Sequence, residues 1–334
     1  MIRLYIKTLR QMDAIRRLCF WKKRSTSSRN KDDSSSDEDS EFEYVDKIEI
    51  KNKLSERFGT DEVHIGVLSK RIQVRQLKYA GSGAFSVVKK GFSAKYNSDV
   101  AIKIIRLDEE KNESYVKKYL PVELEVWSEL SSEKHENILN LLESFQDENL
   151  LYIVTEIADR GDLGQCLLSG SMPELKAKSM FKQMVSAVAF CHNKGIAHRD
   201  IKADNMLLGR NDEIKLADFS FVTKGRRVLE HCGTPGMLAP EQAVSGSYDP
   251  FLSDIWQLGI TLYLMLFKNF PYSNAKKVDL QREIERIRNS YNGVPIPKNK
   301  MISTECKDLL VGMLQLDPLT RFDIADVQSH AWLQ

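Results

Sequence analysis

From residue 71 to about 157 the apolar positions fall into short runs, RIQVRQLKYA (71–80), VAIKIIRL (100–107) and LLYIVTEI (150–157), rich in β-branched and aromatic side chains. Such runs predict strands, and the stretch at about 113–130 between the last two reads as a helix. After Gly161-Asp162-Leu163 the spacing lengthens. Phe181, Met184, Val185, Val188 and Ala189 recur at three- and four-residue steps as far as Gly195, a helix-ending residue. Further helical runs are predicted at 252–268 and 303–315, and the chain has no internal repeat. The expected fold class is therefore α+β, with a small strand-rich lobe over 72–157 followed by a larger helical lobe over 158–334. ITLYLMLF (260–267) is too short an apolar run to cross a membrane and fits a buried core helix.

Upstream of the strands lie two segments of different character. Residues 1–24 would set Ile2, Tyr5, Leu9, Met12, Ile15 and Cys19 on one face of a helix, with eight Lys or Arg and one acid, Asp13, among the rest. That pattern suits a membrane-surface helix, a mitochondrial presequence or a partner-binding helix, and equally a basic arm without stable order. It is not a secretory signal, because arginines interrupt any apolar core. Residues 25–43, STSSRNKDDSSSDEDSEFE, turn to serine and acid, too poor in apolar groups to offset the entropy of ordering. The whole of 25–71 is expected to be a disordered linker, whose serines beside acids suit phosphorylation by an acid-directed kinase.

Charge and cysteine content remove several function classes. The 49 Lys and Arg nearly balance 47 Asp and Glu, leaving +2 on 334 residues, so nucleic acid is not an expected partner. Five scattered cysteines, Cys19, Cys166, Cys191, Cys232 and Cys306, match neither a zinc site nor a disulfide framework. A reducing compartment follows, with an intracellular, cytoplasmic location expected.

Candidate chemistry concentrates in HRDIKADN (198–205) and LADFS (216–220). Asp200 can take a proton from an attacking hydroxyl, Lys202 can neutralise a moving phosphoryl group, and Asn205 with Asp218 supplies oxygen ligands for magnesium. The short spacing would fix base, charge stabiliser and metal ligand around one phosphorus atom. Earlier, GSGAFSVV (81–88) lies between strand-like runs, where its glycines let backbone N–H groups approach a phosphate; a tight hairpin uses the same residues. It lacks the Gly-Lys-Ser/Thr ending of a P-loop. Lys103 sits inside an apolar strand and needs anions beside it, from nucleotide phosphates and a carboxylate. Glu123 or Glu125 offers the latter, and Glu123 shares its helical face with Val126, Trp127 and Leu130.

Taken in order, Gly81-x-Gly83, Val100-Ala101-Ile102-Lys103, the acidic helix, His198-Arg199-Asp200, Asn205, Asp218-Phe219 and Ala239-Pro240-Glu241 resemble the eukaryotic protein kinase family. The resemblance covers about 72–334 and implies two lobes with magnesium and ATP in the cleft between them. It implies Asp200 and Lys202 as catalytic residues and Asn205 and Asp218 as metal ligands. Gly81, Ser82, Gly83, Ala84, Val88, Ala101, Lys103 and Glu123 would serve the ATP site. So would Thr155, which limits the depth of the adenine pocket, with Glu156, Ala158, Asp162 and Leu207. Asp254 would tie down the catalytic loop, and Arg321 would pair with Glu241.

Lys202 and Gly233-Thr234-Pro235 fit the serine/threonine branch, with protein hydroxyls as substrates. CGTP and AFS look most like the calcium/calmodulin-dependent and cyclic-nucleotide-dependent groups. Asp162 and Asp204 match positions at which arginine-directed members hold acids, so basic residues upstream of the target are expected. A binding-only pseudokinase is the alternative, and a monomeric kinase domain the expected state. Gln334 alone follows HAWL, and no C-terminal regulatory tail is expected.

Three positions depart from the family pattern. Ser86 stands where the third glycine of the nucleotide loop often lies, as it does in related kinases. Ser220 replaces the glycine of Asp-Phe-Gly and restricts the backbone there. Glu230 stands two residues before Cys232-Gly233-Thr234, where relatives carry a phosphorylated threonine that binds the arginine of His-Arg-Asp. Glu230 is expected to pair with Arg199 or to be solvated. Thr234 is expected beside Asp200 and Lys202.

Overall fold

The structure, a computed structural model, describes residues 58–82, 86–109, 113–243, 246–272 and 293–334. The basic arm, the Ser-rich stretch, and Gly83 and Ala84 lie outside the described residues. The described residues fall into two compact units, one drawn from the stretch up to Glu113 and from Leu142–Ile157, the other from Ser114–Leu141 and Ala158–Gln334.

The first unit holds a five-stranded antiparallel sheet. Its strands are β1 (Lys78–Ser82), β2 (Ser86–Ser93), β3 (Ser98–Arg106), β4 (Leu141–Asp147) and β5 (Leu150–Glu156), in the order β1-β2-β3-β5-β4. Strand alternation decides which face is core: Val100, Ile102 and Ile104 of β3 are fully buried, while Ala101 and Lys103 between them are half-buried.

The expected linker ends too late in the chain. Asp61–Ile72 is a helix, α1, and Phe58, Leu68 and Ile72 join Val74, Val87, Ile102, Tyr152 and Val154 in one apolar core. His64, Leu68 and Ile72 are buried at four-residue spacing, so one stripe of the helix covers the sheet. Acids in its first turn, Asp61 and Glu62, and bases in its last, Lys70 and Arg71, complement the helix dipole. Asp61 also pairs with Lys89, and His64 Nδ1 lies 3.0 Å from Tyr152 Oη. Burial, with the neighbouring Lys89 charge, lowers the His64 imidazole to about 4, so it is neutral within this core.

The second unit is helical. It contains α2 (Glu113–Lys118), α3 (Leu120–Ser132), α4 (Leu163–Leu168), α5 (Glu174–Asn193), α6 (Pro250–Phe267), α7 (Thr304–Met313) and α8 (Ile324–Ser329). Short pairs complete it: β6 (Ile196–Ala197) with β9 (Thr223–Lys224), and β7 (Met206–Leu208) with β8 (Ile214–Leu216). Helix α6 begins at Pro250, capped by the Asp249 carboxylate accepting from Phe251 N–H. By length and composition α6 is apolar enough to cross a membrane, but 89% of it is buried inside the unit, as ITLYLMLF predicts for a core helix. It packs against α5 and α7. Gly312 of α7 lies face-on to the Phe322 ring, which a Cβ would meet at 2.0 Å.

Candidate active site

The loop after β6 is held from beneath by α6. Asp254, fully buried, accepts from His198 N–H at 2.8 Å, Arg199 N–H at 2.7 Å and His192 Nε2 at 2.9 Å. Three donors offset the cost of burying that carboxylate. One turn on, Gln257 Oε1 accepts from Ile201 N–H at 2.7 Å, and its Nε2 donates to Arg199 C=O at 3.2 Å. Because His198 Nδ1 accepts from Asp200 N–H, its Nε2 carries the proton that faces Ala217 C=O at 3.2 Å. Both ends of the loop are therefore pinned.

On that frame the side chains converge. Lys202 Nζ donates to Asp200 Oδ2 at 2.5 Å and to Thr234 Oγ1 at 2.7 Å, and the Thr234 hydroxyl donates to Asp200 Oδ1 at 2.8 Å. Asn205 Nδ2 donates to Asp200 C=O at 2.8 Å and to Oδ2 at 3.2 Å. A carboxylate offers about four lone-pair sites. Two bonds meet Asp200 Oδ2 and one meets Oδ1, so Oδ1 keeps an acceptor site for a substrate proton among the described residues.

Asn205 spends its amide hydrogens on Asp200, which turns its carbonyl oxygen outward. Asp218 follows with φ 65, and Phe219, fully buried, sits against Trp127 at 5.6 Å and His198 at 5.3 Å between ring centres. An amide oxygen and a carboxylate are hard donors that suit magnesium. Among the described residues no cluster of three acidic, His or Cys groups forms a closed metal cage. Two protein ligands fit an ion that shares its remaining positions with phosphate oxygens and water.

In the first unit, Val88 lies opposite Lys103 and Ala101 opposite Thr155, so these four residues line one face across β2, β3 and β5. Gly81 sits at a bulge of β1, Ser82 ends that strand, and Glu156 ends β5. Ala158 begins the second stretch of the second unit, where Asp162 bridges to Leu207 and caps α4 by accepting from Gln165 N–H at 2.8 Å.

The family model for the protein kinase domain matches residues 74–333. The chain belongs to the protein kinase family. It is similar to mouse testis-specific serine/threonine-protein kinase 3, 37% identical over 264 residues that cover 77% of this chain and 94% of that protein. Human testis-specific serine/threonine-protein kinase 1 is 37% identical over 268 residues, 76% of this chain and 70% of its own. Rat serine/threonine-protein kinase SIK1 is 34% identical over 258 residues, 76% of this chain and 32% of its own. With the Lys202 and Thr234 pattern, these place the kinase in the serine/threonine branch, consistent with the calcium/calmodulin-dependent group.

The activation segment of this kinase corrects one expectation. The Glu230 carboxylate is held by Lys118 Nζ at 2.5 Å and by the Tyr119 hydroxyl, not by Arg199. Arg199 is occupied by backbone carbonyls: Nε donates to Phe221 C=O at 2.5 Å, and a terminal nitrogen reaches Glu230 C=O at 3.5 Å. The Tyr119 ring packs edge-on against Phe221, and Lys224 bonds Glu125 and Glu129. The segment is thus stitched to α2 and α3 at several points. Glu241 receives a two-pronged hydrogen bond from Arg321, at 2.6 and 2.8 Å.

Gln257, Tyr115, Lys118 and Tyr119 escaped sequence reading. Gln257 stands three residues after Asp254 on the same helix face, a spacing that points it at the same loop. The partners of Glu230 lie 111 and 112 residues away, beyond any local pattern.

Proposed function

We propose that this serine/threonine kinase is catalytically competent, prefers basic protein substrates and works without a phosphate on its activation segment. The Asp200–Lys202–Thr234–Asn205 cluster carries the first part. As a serine or threonine oxygen attacks the γ-phosphorus and the bond to the ADP oxygen breaks, the hydroxyl proton passes to Asp200 Oδ1. Lys202, 2.5 Å from Asp200 and 2.7 Å from Thr234, holds the base in place and offsets charge on the transferring group. Protein kinases use ATP and magnesium, which supplies positive charge to the phosphates; Asn205 and Asp218 are the residues that would hold it here. Lys103, Val88, Ala101, Thr155 and Glu156 are the strand residues proposed to take ATP.

The preference for basic peptides rests on two acids around a glycine. A Cβ at Gly164 would lie 3.0 Å from Asp162 Oδ1 and 3.5 Å from Asp204 Cγ, so the two carboxylates come together beside that glycine. Burial, and then the charge of Asp204, pushes the Asp162 carboxyl above its ordinary value, and a guanidinium or ammonium bound beside the two acids would offset their repulsion.

Transfer of labelled phosphate from magnesium-ATP to a peptide array tests the proposal. Phosphorylation of peptides with upstream Arg or Lys, lost by orders of magnitude in Asp200→Asn with nucleotide affinity kept, is expected. A purified protein that binds nucleotide and transfers nothing is a pseudokinase, and the proposal fails.

A further inference from the structure

Ser220 stands where the family pattern has a glycine, and its side chain takes part in the site. Its Oγ lies 2.5 Å from Asp218 Oδ1 and 3.2 Å from Glu123 Oε2. A second hydroxyl, Tyr115 Oη, donates to the same Glu123 oxygen at 2.5 Å. Glu123 is fully buried on α3, beside Val126 and Trp127. A serine has one proton to give. The shorter contact assigns it to Asp218, while Tyr115 serves Glu123. Each carboxylate then carries its own hydroxyl donor, and the Ser220 oxygen sits between the two acids.

We propose that Ser220 is a positioning residue for magnesium, fixing the rotamer of the Asp218 carboxylate through Oδ1. This rests on the assignment of Asp218 as a metal ligand. A glycine at 220 has no group for that task. A short side chain on a half-buried segment is also cheap to hold in one conformation. The backbone adds to the restraint, since Asp218 occupies the left-handed region at φ 65 and Phe219 is locked between two rings. With the hydroxyl gone, the carboxylate loses one of its restraints, more of its ordering falls to the moment the cation binds, and magnesium affinity falls. A hydroxyl donor and a cation use different lone pairs of a carboxylate oxygen, so donation by Ser220 does not by itself exclude the metal.

The test is the magnesium dependence of nucleotide binding, followed by calorimetry with ADP, for wild type, Ser220→Ala, Ser220→Gly and Ser220→Thr. Glycine, the residue of the family pattern, guards against a folding defect, and metal-free ADP affinity reports on the remainder of the pocket. Ser220→Ala and Ser220→Gly are expected to need about tenfold more magnesium for half-saturation, the scale of one hydrogen bond to a charged group. Ser220→Thr should stay near wild type, and metal-free affinity should be the same in all four. An unchanged or lower magnesium requirement in both hydroxyl-less variants overturns the role of Ser220 while leaving Asp218 as a ligand. Wild-type ADP binding indifferent to magnesium removes the Asp218 assignment and this inference with it.

Discussion

Neutralising Glu230 should lower the activity of unphosphorylated kinase in proportion to the clasp it makes. The Lys118 pair is exposed, 58% on the lysine and 34% on the glutamate, so it is worth about 0.5 kcal/mol. The Tyr119 hydroxyl is partly buried and donates to a charged oxygen, worth about 1.5 kcal/mol. Glu230→Gln keeps an acceptor for Tyr119 but loses the charge, a cost of about 1 kcal/mol; Glu230→Ala loses both, about 2 kcal/mol. A tenfold shift corresponds to about 1.4 kcal/mol, so the ordered population falls at most about fivefold and about thirtyfold. Lys118→Ala should cost about twofold and Tyr119→Phe about tenfold, and Tyr119→Phe should add little to Glu230→Ala. The assay is the initial rate of peptide phosphorylation by bacterially produced, phosphatase-treated protein. Burial raises the Glu230 carboxyl, but hydrogen bonds from Lys118 and Tyr119, with the Lys118 and Arg199 charges, outweigh it and leave the group below its ordinary 4.5. Its contribution is therefore complete above that value and lost as pH falls through the lower folded one, so the Gln variant's deficit should be constant from about pH 6 to about pH 8. An inactive treated wild type, or a Gln variant as fast as wild type, refutes the reasoning. Glu230→Thr that regains rate only after phosphorylation supports it.

Removing residues 58–72 exposes the core partners of Phe58, Leu68 and Ile72; at about 1.5–3 kcal/mol for each side chain, a chain starting at residue 73 should melt far below wild type by calorimetry. Arg321→Lys cannot reproduce the two-pronged bond to Glu241 and should cost about 2–3 kcal/mol in denaturant unfolding, with a chain no less stable than wild type counting against that contact. Asp162→Asn with Asp204→Asn should raise KM for peptides with upstream arginine about tenfold or more and leave neutral peptides unaffected.

How legible was this protein in its sequence? Short spacings served best. HRDIKADN and LADFS fold into local loops whose residues meet because few bonds separate them, and β3 showed its buried face through simple alternation at Val100, Ile102 and Ile104. Helix α1 was missed because its buried stripe, His64, Leu68 and Ile72, is thin, four residues apart and interrupted by charge and glycine, while the acidic stretch before it suggested continuity of disorder. Glu230 stands out in the sequence as an oddity, but neither pairing with Arg199 nor solvation describes its carboxylate in the fold. Arg199 has the right charge and the place in the family pattern, yet its guanidinium is taken by carbonyls, and only the folded chain brings Lys118 and Tyr119 to the carboxylate.

Asp254 makes the catalytic loop a dependent of α6, a helix buried along nearly its whole length. The amide protons of His198, Arg199 and Ile201 are donated to side chains of α6, so they cannot meet solvent unless that helix parts from the loop. In hydrogen exchange these three amides should be among the slowest of any loop in the molecule, opening only with the whole unit, whereas segments without such anchors exchange by local fluctuation. The base is therefore as durable as the fold: moderate heat or denaturant should not yield a folded population with a melted catalytic loop, and loss of turnover should track unfolding of the unit itself.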